Sequence, residues 1–194
     1  VKPKAVAIPN SSKDIKRLVH FALNQHTSLI PRGAGTSLAG QVVGEGISME
    51  IGPAMSKIIL RNKKEEIIVL NLGGIANITY LPADLKATVL GFDTGPANCL
   101  LDQWIQYHLK RWFDDEGAWA ASASFDQALL NQFLSDPYFQ LKAPKSTGPE
   151  YFNFKWIQTQ LAALKRPLAP ASVQATLCEL VAVSVARAIL TFKS

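Results

Sequence analysis

The chain has 194 residues, of which 48% are hydrophobic and 18% are charged, so it is long enough for a core and its composition excludes a disordered protein. The net charge is +5, and the surplus lies in residues 1–66, which carry ten basic and five acidic side chains. These basic residues are spread along a helix and a hairpin rather than gathered on one face, which favours solvated surface, and we expect no nucleic-acid partner.

The composition also bears on location. No apolar run approaches the roughly 20 residues that cross a bilayer, and the first residues lack the apolar core of a secretory signal. Cys99 and Cys178 both lie in helical patterns and suit reduced, buried thiols. We therefore expect a cytoplasmic protein without a membrane partner.

The first third of the chain predicts a strand–helix–strand unit. A short strand at 5–8 precedes a helix whose apolar residues recur at helical spacing from Ile15 to Leu23. A second strand at 28–30 leads into the loop PRGAGTSLAG, and further strands are predicted at 46–51 and 57–60. Consecutive backbone N–H groups in such a loop can form a concavity for an anion such as pyrophosphate. A flexible surface loop is the alternative.

Residues 67–101 form the central stretch of the chain. One apolar run ends at Gly73-Gly74, a second β-rich run follows, and a third ends in the motif FDTGP. Glycines where a strand turns let backbone N–H groups approach a ligand, and strand ends beside a helix start are where α/β folds bind ligands. Two hairpin turns are the simpler interpretation. Asp93 could also be the N-cap of the next helix, because the Gly-Pro that follows would begin that helix.

The last hundred residues predict a helical body. Apolar residues from Leu100 to Trp112 form one stripe, on which His108 is expected to be a hydrogen-bonded histidine rather than a metal ligand. Three later helices are predicted at 129–134, at 156–164 and at 173–189, the last of them capped by Ser172. The acidic run at 114–116 is interpreted as a solvated loop, so no metal site is predicted.

Residues 3–66 resemble the start of an FAD-binding domain of the vanillyl-alcohol-oxidase (PCMH) type, found in glycolate oxidase subunits and D-lactate dehydrogenases. The resemblance runs through PKAVAIPNSSKDIKRLVHFAL, SLIPRGAGTSLAGQ, GISMEI and MSKII. It implies a function as an FAD-linked oxidoreductase of 2-hydroxy acids. It also implies that the loop backbone holds the FAD pyrophosphate, through Arg32, Gly33, Ala34, Gly35, Thr36, Ser37 and Gly40.

From Ile67 onward the chain resembles the central part of anhydro-N-acetylmuramic acid kinase, a family of the actin-like ATPase and sugar-kinase superfamily. The segments VLNLGGIANITYLP, GFDTGPANCLLDQWI, GAWAASA, LLNQFLSDPYF, PKSTGPEYFNFKWI and VQATLCELVAVSVA occur in the family's order. Such kinases use ATP and water to convert 1,6-anhydro-N-acetylmuramic acid into N-acetylmuramic acid 6-phosphate in cell-wall recycling. The resemblance implies ATP with magnesium as cofactor and a small-molecule sugar as partner, and it leaves a homodimer open.

The kinase resemblance implies sugar or nucleotide binding by three motifs. Their residues are Gly73, Gly74 and Asn77, then Asp93, Thr94, Gly95 and Asn98, and finally Lys145, Ser146, Thr147 and Gly148. The Asp93 carboxylate could orient a sugar hydroxyl, a water or a magnesium ion. The family's first phosphate loop and catalytic aspartate are expected upstream of the GGIAN strand, where this chain has flavin-like sequence. Catalytic residues are therefore left unassigned, and the fragment by itself is expected to be inactive.

The expected fold class is α/β, in two fragments. Residues 1–66 would be an FAD-binding strand–helix–strand fragment, and residues 67–194 a fragment of an actin-like ATPase (ribonuclease-H-like) domain with a mixed sheet and several helices. No Pro/Gly/Ser-rich linker separates them, although independent domains usually have one. The chain is thus expected to be chimera-like, with its join between residues 57 and 69. A non-catalytic binding module is the remaining alternative.

Overall fold

The computed structural model describes residues 5–7, 12–32, 47–50 and 65–192. Its strands are β1 Ala5–Ala7, β2 Leu29–Arg32, β3 Ile47–Glu50, β4 Ile67–Leu72, β5 Ile75–Leu81 and β6 Leu90–Pro96. Its helices are α1 Ser12–Asn24, α2 Asn98–Leu109, α3 Ala118–Ala121, α4 Gln127–Leu134, α5 Pro137–Gln140, α6 Phe154–Leu164 and α7 Pro170–Leu190, with a 3₁₀ turn at Asp115–Gly117. These elements belong to two compact units, Val1–Val69 with Thr79–Gly91, and Leu70–Ile78 with Phe92–Ser194.

A parallel sheet in the order β1-β3-β2 lies in the first unit. Ile47 of β3 lies opposite Ala5 on one side and Leu29 on the other. Parallel strands need a crossover connection, which α1 supplies between β1 and β2. The predicted strand–helix–strand unit is confirmed, whereas the strand predicted at 57–60 lies outside the described residues.

The second sheet has the order β4-β5-β6. The turn at Gly73-Gly74 is too short for a crossover, and the connection from β5 to β6 is also shorter than the dozen or more residues that parallel neighbours need. The strands are therefore antiparallel. β5 lies in the middle and has buried residues on both faces, and the last five residues of β6 are buried. The α/β class is confirmed, with a small antiparallel sheet where a mixed one was expected.

The helical core of the second unit forms where α7 packs against α2, α3 and α4. Most of the apolar positions that the helical periodicity predicted for these helices lie inside it, but Leu109 of the predicted stripe is 41% exposed. Its most deeply buried members include Leu100, Leu129, Phe133, Phe152, Ile157, Leu177 and Leu180. The hydrophobic stripes thus identify the core-facing side of each of these helices.

The boundaries of α2 differ from the prediction at both ends. The helix begins at Asn98 after Ala97, so Asp93 lies inside β6 and is not a helix N-cap. It ends where Lys110 adopts a left-handed conformation with φ 57°. Trp112, which the predicted stripe included, lies beyond that end and is 83% exposed.

His108 is also placed differently from the expectation. Its ring lies among aromatic side chains, with its centroid 4.2 Å from that of Trp104 and 4.9 Å from that of Tyr107. Its buried Nε2 has no hydrogen-bond partner within the described residues. Burial, together with the charge of Lys110, lowers the pKa of His108. The predicted hydrogen-bonded histidine is therefore a histidine held by ring packing.

The long helix α7 begins at Pro170 and not after the predicted cap at Ser172. Proline suits a first helical position, because its missing N–H would have no partner there. By length and composition α7 could cross a membrane, since its most apolar 18-residue window has a mean hydropathy of 1.6. The expectation that no stretch reaches this length was wrong. A core helix passes the same test, and α7 packs against three other helices.

Candidate active site

Asp93 and the loop after Pro144 meet at the end of β6. Asp93 is 6% exposed, and its Oδ2 accepts hydrogen bonds from the Ser146 hydroxyl and the Thr147 backbone N–H, both at 2.9 Å. The Asp93 backbone N–H donates to the carbonyl of Lys145 at 3.0 Å. Two motifs that lie about 50 residues apart in the sequence are therefore joined by side-chain and backbone hydrogen bonds.

The two oxygens of the Asp93 carboxylate differ. Oδ2 is held by two donors, whereas Oδ1 accepts no hydrogen bond from the part of the chain that the structure describes. A carboxylate held through one oxygen has a fixed orientation, because hydrogen bonds to a charged acceptor are short and directional. Its second oxygen can then orient a hydroxyl, take a proton or contact a cation.

Tyr138 supports this arrangement from α5. Its hydroxyl donates to the Asp93 carbonyl at 2.7 Å, and its own carbonyl accepts a hydrogen bond from Lys145 Nζ at 3.0 Å. The ammonium also lies 4.5 Å from the centroid of the Tyr138 ring, within cation–π range. Burial raises the pKa of Tyr138, with a further contribution from Asp93, and burial lowers the pKa of Lys145.

Asp136 in turn holds Tyr138 in place. This buried carboxylate caps α5 by accepting the Tyr138 backbone N–H at 2.9 Å. It also accepts hydrogen bonds from the Tyr151 hydroxyl at 2.9 Å and from the Trp156 indole N–H at 2.8 Å. Burial, followed by the hydrogen bond to Asp136, raises the pKa of Tyr151. From the sequence, Asp136-Pro137 was only the end of a helix.

Thr94 and Gly95 continue β6 beyond Asp93. The Thr94 hydroxyl donates to the Ala76 carbonyl of β5 at 3.2 Å, so this predicted ligand residue ties two strands together. Gly95 has φ 153°, and a Cβ at this position would lie 2.9 Å from a ring carbon of Phe139. Only glycine fits this backbone and this spacing without strain.

The Gly73-Gly74 turn contacts the start of α2. The Gly73 carbonyl accepts the Asn98 N–H at 3.0 Å, and the Gly74 carbonyl accepts the N–H groups of Ala97 at 3.0 Å and Cys99 at 3.1 Å. The first N–H groups of a helix lack partners within the helix, and here the turn supplies those partners. The glycine turn and the start of α2 are thus joined through the carbonyls of the turn. The sequence analysis had instead assigned the role of this turn to its backbone N–H groups.

The remaining described residues that the sequence predicted to bind ligands form no hydrogen bond with the Asp93 carboxylate. Asn77 is half-buried in β5, and the carbonyl of Gly148 accepts the N–H groups of Tyr151 and Phe152 at 3.1 and 3.0 Å. Arg32 is the last residue of β2, and the predicted FAD loop at 33–40 lies outside the described residues.

Residues 41–194 match the family model described as Anhydro-N-acetylmuramic acid kinase. The chain belongs to the anhydro-N-acetylmuramic acid kinase family. The match begins at residue 41, inside the stretch that resembles a flavin domain, and neither the match nor the relatives described next support the flavin resemblance.

Several curated relatives carry the name anhydro-N-acetylmuramic acid kinase. That of Coxiella burnetii is 46% identical over 147 residues, which are 76% of this chain and 39% of the relative. That of Xylella fastidiosa is 50% identical over 149 residues, 77% of this chain and 38% of the relative. That of Cupriavidus pinatubonensis is 43% identical over 170 residues, 84% of this chain and 45% of the relative. The chain therefore spans about two-fifths of the length of these kinases.

Sequence reasoning missed two residues of this candidate site, Tyr138 and Asp136. The motif LSDPYF contains both, but nothing in its pattern indicates that a tyrosine hydroxyl reaches a carbonyl 45 positions earlier. An aspartate before proline at a helix start is a recognisable capping signal and could have identified the role of Asp136.

Proposed function

We propose that this chain provides sugar- and phosphate-binding residues of a kinase that uses ATP and water to convert 1,6-anhydro-N-acetylmuramic acid into N-acetylmuramic acid 6-phosphate. The observation that carries the proposal is the Asp93 carboxylate, held through Oδ2 by Ser146 and Thr147. Family membership and the matching names of the relatives support the substrate. The finer fold that we propose for residues 67–194 is that of an actin-like ATPase domain.

Asp93 is the carboxylate that we assign to the reacting water or sugar hydroxyl. Phosphoryl transfer depends on positioning and charge stabilisation, and a base at the nucleophile contributes a further factor. The sequence analysis expected the family's catalytic aspartate upstream. Within the described residues, the free Oδ1 and fixed Oδ2 of Asp93 offer the geometry that such a base needs.

The nucleotide is proposed as ATP with magnesium. Magnesium is usually held by one or two carboxylates together with the substrate's phosphates, so it would arrive with ATP, and Asp93 Oδ1 is suited to contact it. Lys145 is held by Tyr138 and, with its charge, would favour a phosphate nearby. Gly73, Gly74, Asn77, Thr94, Gly95, Asn98 and Gly148 remain proposed binding residues.

The test compares the wild-type chain, Asp93→Asn and the control Asp115→Asn, which changes an exposed carboxylate. Each of the two ligands, the anhydro sugar and MgATP, should stabilise the wild type and the control by about 2.7 kcal/mol when it is present at about 100 times its dissociation constant. That corresponds to a rise of about 5–11 °C in melting temperature for a domain of this size. Asp93→Asn should lose the sugar-dependent part of the rise.

ADP release in the same samples reports the reaction. The fragment by itself is expected to be inactive, so release by the control would itself correct that expectation. If the control does release ADP in a sugar-dependent way, release by Asp93→Asn should be about 10²–10⁴-fold lower. Equal stabilisation of all three proteins, or none in the wild type, would contradict the proposed site. Stabilisation of the wild type without ADP release would instead favour the alternative of a non-catalytic binding module.

The remaining proposals have separate tests. We infer a cytoplasmic protein, because ATP is a cytoplasmic substrate and both cysteines are free thiols. A homodimer is proposed as the assembly, and sedimentation of the purified chain would show its mass. FAD binding stays a prediction from the sequence resemblance alone, through Arg32, Gly33, Ala34, Gly35, Thr36, Ser37 and Gly40. A flavin absorbance band in the purified protein would favour it.

A further inference from the structure

A cavity of about 290 Å³ lies in the second unit, between the start of the buried part of β6, residues 139–145 and the last turns of α7. A single buried water needs only about 10–15 Å³ of such a cavity, so this cavity is many times larger than a water site. This is the volume of a small organic molecule. The proposed kinase function uses only Thr94 and Lys145 from its lining.

Three cationic side chains line the cavity, those of Lys142, Lys145 and Arg187. Its described lining includes no aspartate or glutamate. Lys145 donates to a backbone carbonyl, while Lys142 and Arg187 are exposed and form no ion pair with a described carboxylate. Burial lowers the pKa of Lys145. The cavity therefore has an uncompensated positive charge that would favour an anion.

The rest of the lining is mainly apolar. Phe92 of β6, Phe139 of α5 and Ala188 of α7 contribute ring and methyl surface. A small inorganic anion would gain nothing from this surface, whereas burial of an apolar body against it contributes about 25 cal/mol per Å². The combination of cations and apolar groups matches an anion that carries an apolar body, since ligand pockets are commonly apolar with a few polar anchors.

Asp93 itself does not belong to the described lining of the cavity. Side chains alternate along a strand, and Phe92 and Thr94, the neighbours of Asp93, both line the cavity. The Asp93 side chain is instead bound by Ser146 and Thr147. We propose that this cavity is an accessory site for a small organic carboxylate with an apolar body, beside the site at Asp93 and sharing the lining residues Thr94 and Lys145 with it.

Three probes separate the features of the proposed ligand, and ligand-observed NMR on the full chain measures their binding. Benzoate has both the charge and the ring, benzamide has the ring without the charge, and inorganic phosphate has the charge without the ring. We expect benzoate to bind about two- to fivefold more tightly than benzamide, because an exposed ion pair contributes up to about a fivefold change in affinity. Phosphate at the same concentration should not displace benzoate.

Variants locate the binding. Arg187→Ala and Lys142→Ala should each weaken benzoate binding by about two- to fivefold, whereas Arg111→Ala, an exposed cation away from the cavity, should not. Asp93→Asn should leave benzoate binding unchanged. Circular dichroism checks that each variant is folded. If only one of the two cation variants folds, that variant is compared with Arg111→Ala. No benzoate binding, equal binding of benzamide, displacement by phosphate or an unchanged affinity in both cation variants would overturn the proposal.

Discussion

Replacing Asp136 by asparagine tests the hydrogen-bond network that supports the proposed site. The carboxylate accepts from the Tyr138 N–H and the Tyr151 hydroxyl through Oδ1 and from the Trp156 indole through Oδ2. Asparagine has one acceptor oxygen, so its NH₂ group must face at least one of these donors. If the oxygen takes the position of Oδ1, the largely buried indole N–H of Trp156 loses its partner.

The loss of stability expected for Asp136→Asn follows from these hydrogen bonds. A buried donor left without a partner costs about 1–3 kcal/mol, and the two remaining bonds weaken because their acceptor is no longer charged. Removing a buried charge recovers part of its desolvation cost. We expect Asp136→Asn to lower the free energy of unfolding by about 2–3 kcal/mol, and hence the melting temperature by about 4–12 °C.

Thermal and urea unfolding measure this loss, with Asp115→Asn as the control for a change of charge alone. Trp156→Phe removes the indole donor from the other side of the bond, and the double variant Asp136→Asn/Trp156→Phe should cost less than the sum of the two single changes. A melting temperature of Asp136→Asn within about 1 °C of the control would refute the reasoning, as would strict additivity in the double variant.

Two further predictions concern the backbone and a buried thiol. Gly95→Ala should lower the free energy of unfolding by about 1–3 kcal/mol, because the φ of Gly95 is 153° and the new Cβ would lie 2.9 Å from Phe139. Gly148→Ala is the control and should cost less, because its new Cβ would meet the flexible end of Glu150. Equal losses of stability in urea titrations of the two variants would contradict this prediction. Burial raises the pKa of Cys99 from 9.0 to about 11. The stability that this thiol contributes is fully present below pH 9 and is lost as the pH rises to 11, at up to about 1.4 kcal/mol per pH unit. Denaturation at these pH values should therefore show a steeper decline for the wild type than for Cys99→Ala, and parallel declines would count against it.

The sequence motifs predicted which residues to consider at the site, but not how they are joined. The kinase resemblance selected Asp93 and the loop of Lys145, Ser146 and Thr147. Only the structure shows that this loop donates two hydrogen bonds to the carboxylate and pairs with its backbone. Short motifs describe local chain geometry, whereas a contact between distant segments depends on how the intervening helices pack.

The start of α2 is a second feature that the sequence did not predict and the structure shows. The alternative role of Asp93 as an N-cap assumed that the helix begins at Pro96, but β6 extends through Pro96 and α2 begins at Asn98. The carbonyls of Gly73 and Gly74 bind the first N–H groups of that helix and so take the place of a capping side chain. A cap supplied by a distant turn leaves no signal in the neighbouring sequence.

The sequence by itself determined the α/β class, the family and the core-facing side of the helices of the second unit, because apolar residues at helical spacing place one face of a helix in the core wherever it packs. The tertiary structure alone decided that Tyr138 and Asp136 support Asp93, that His108 is held by rings, and that cations from α7 and the 142–145 segment share one cavity. Periodicity specifies which face of an element is buried. Which groups meet across that buried face depends on long-range packing, which a local pattern does not contain.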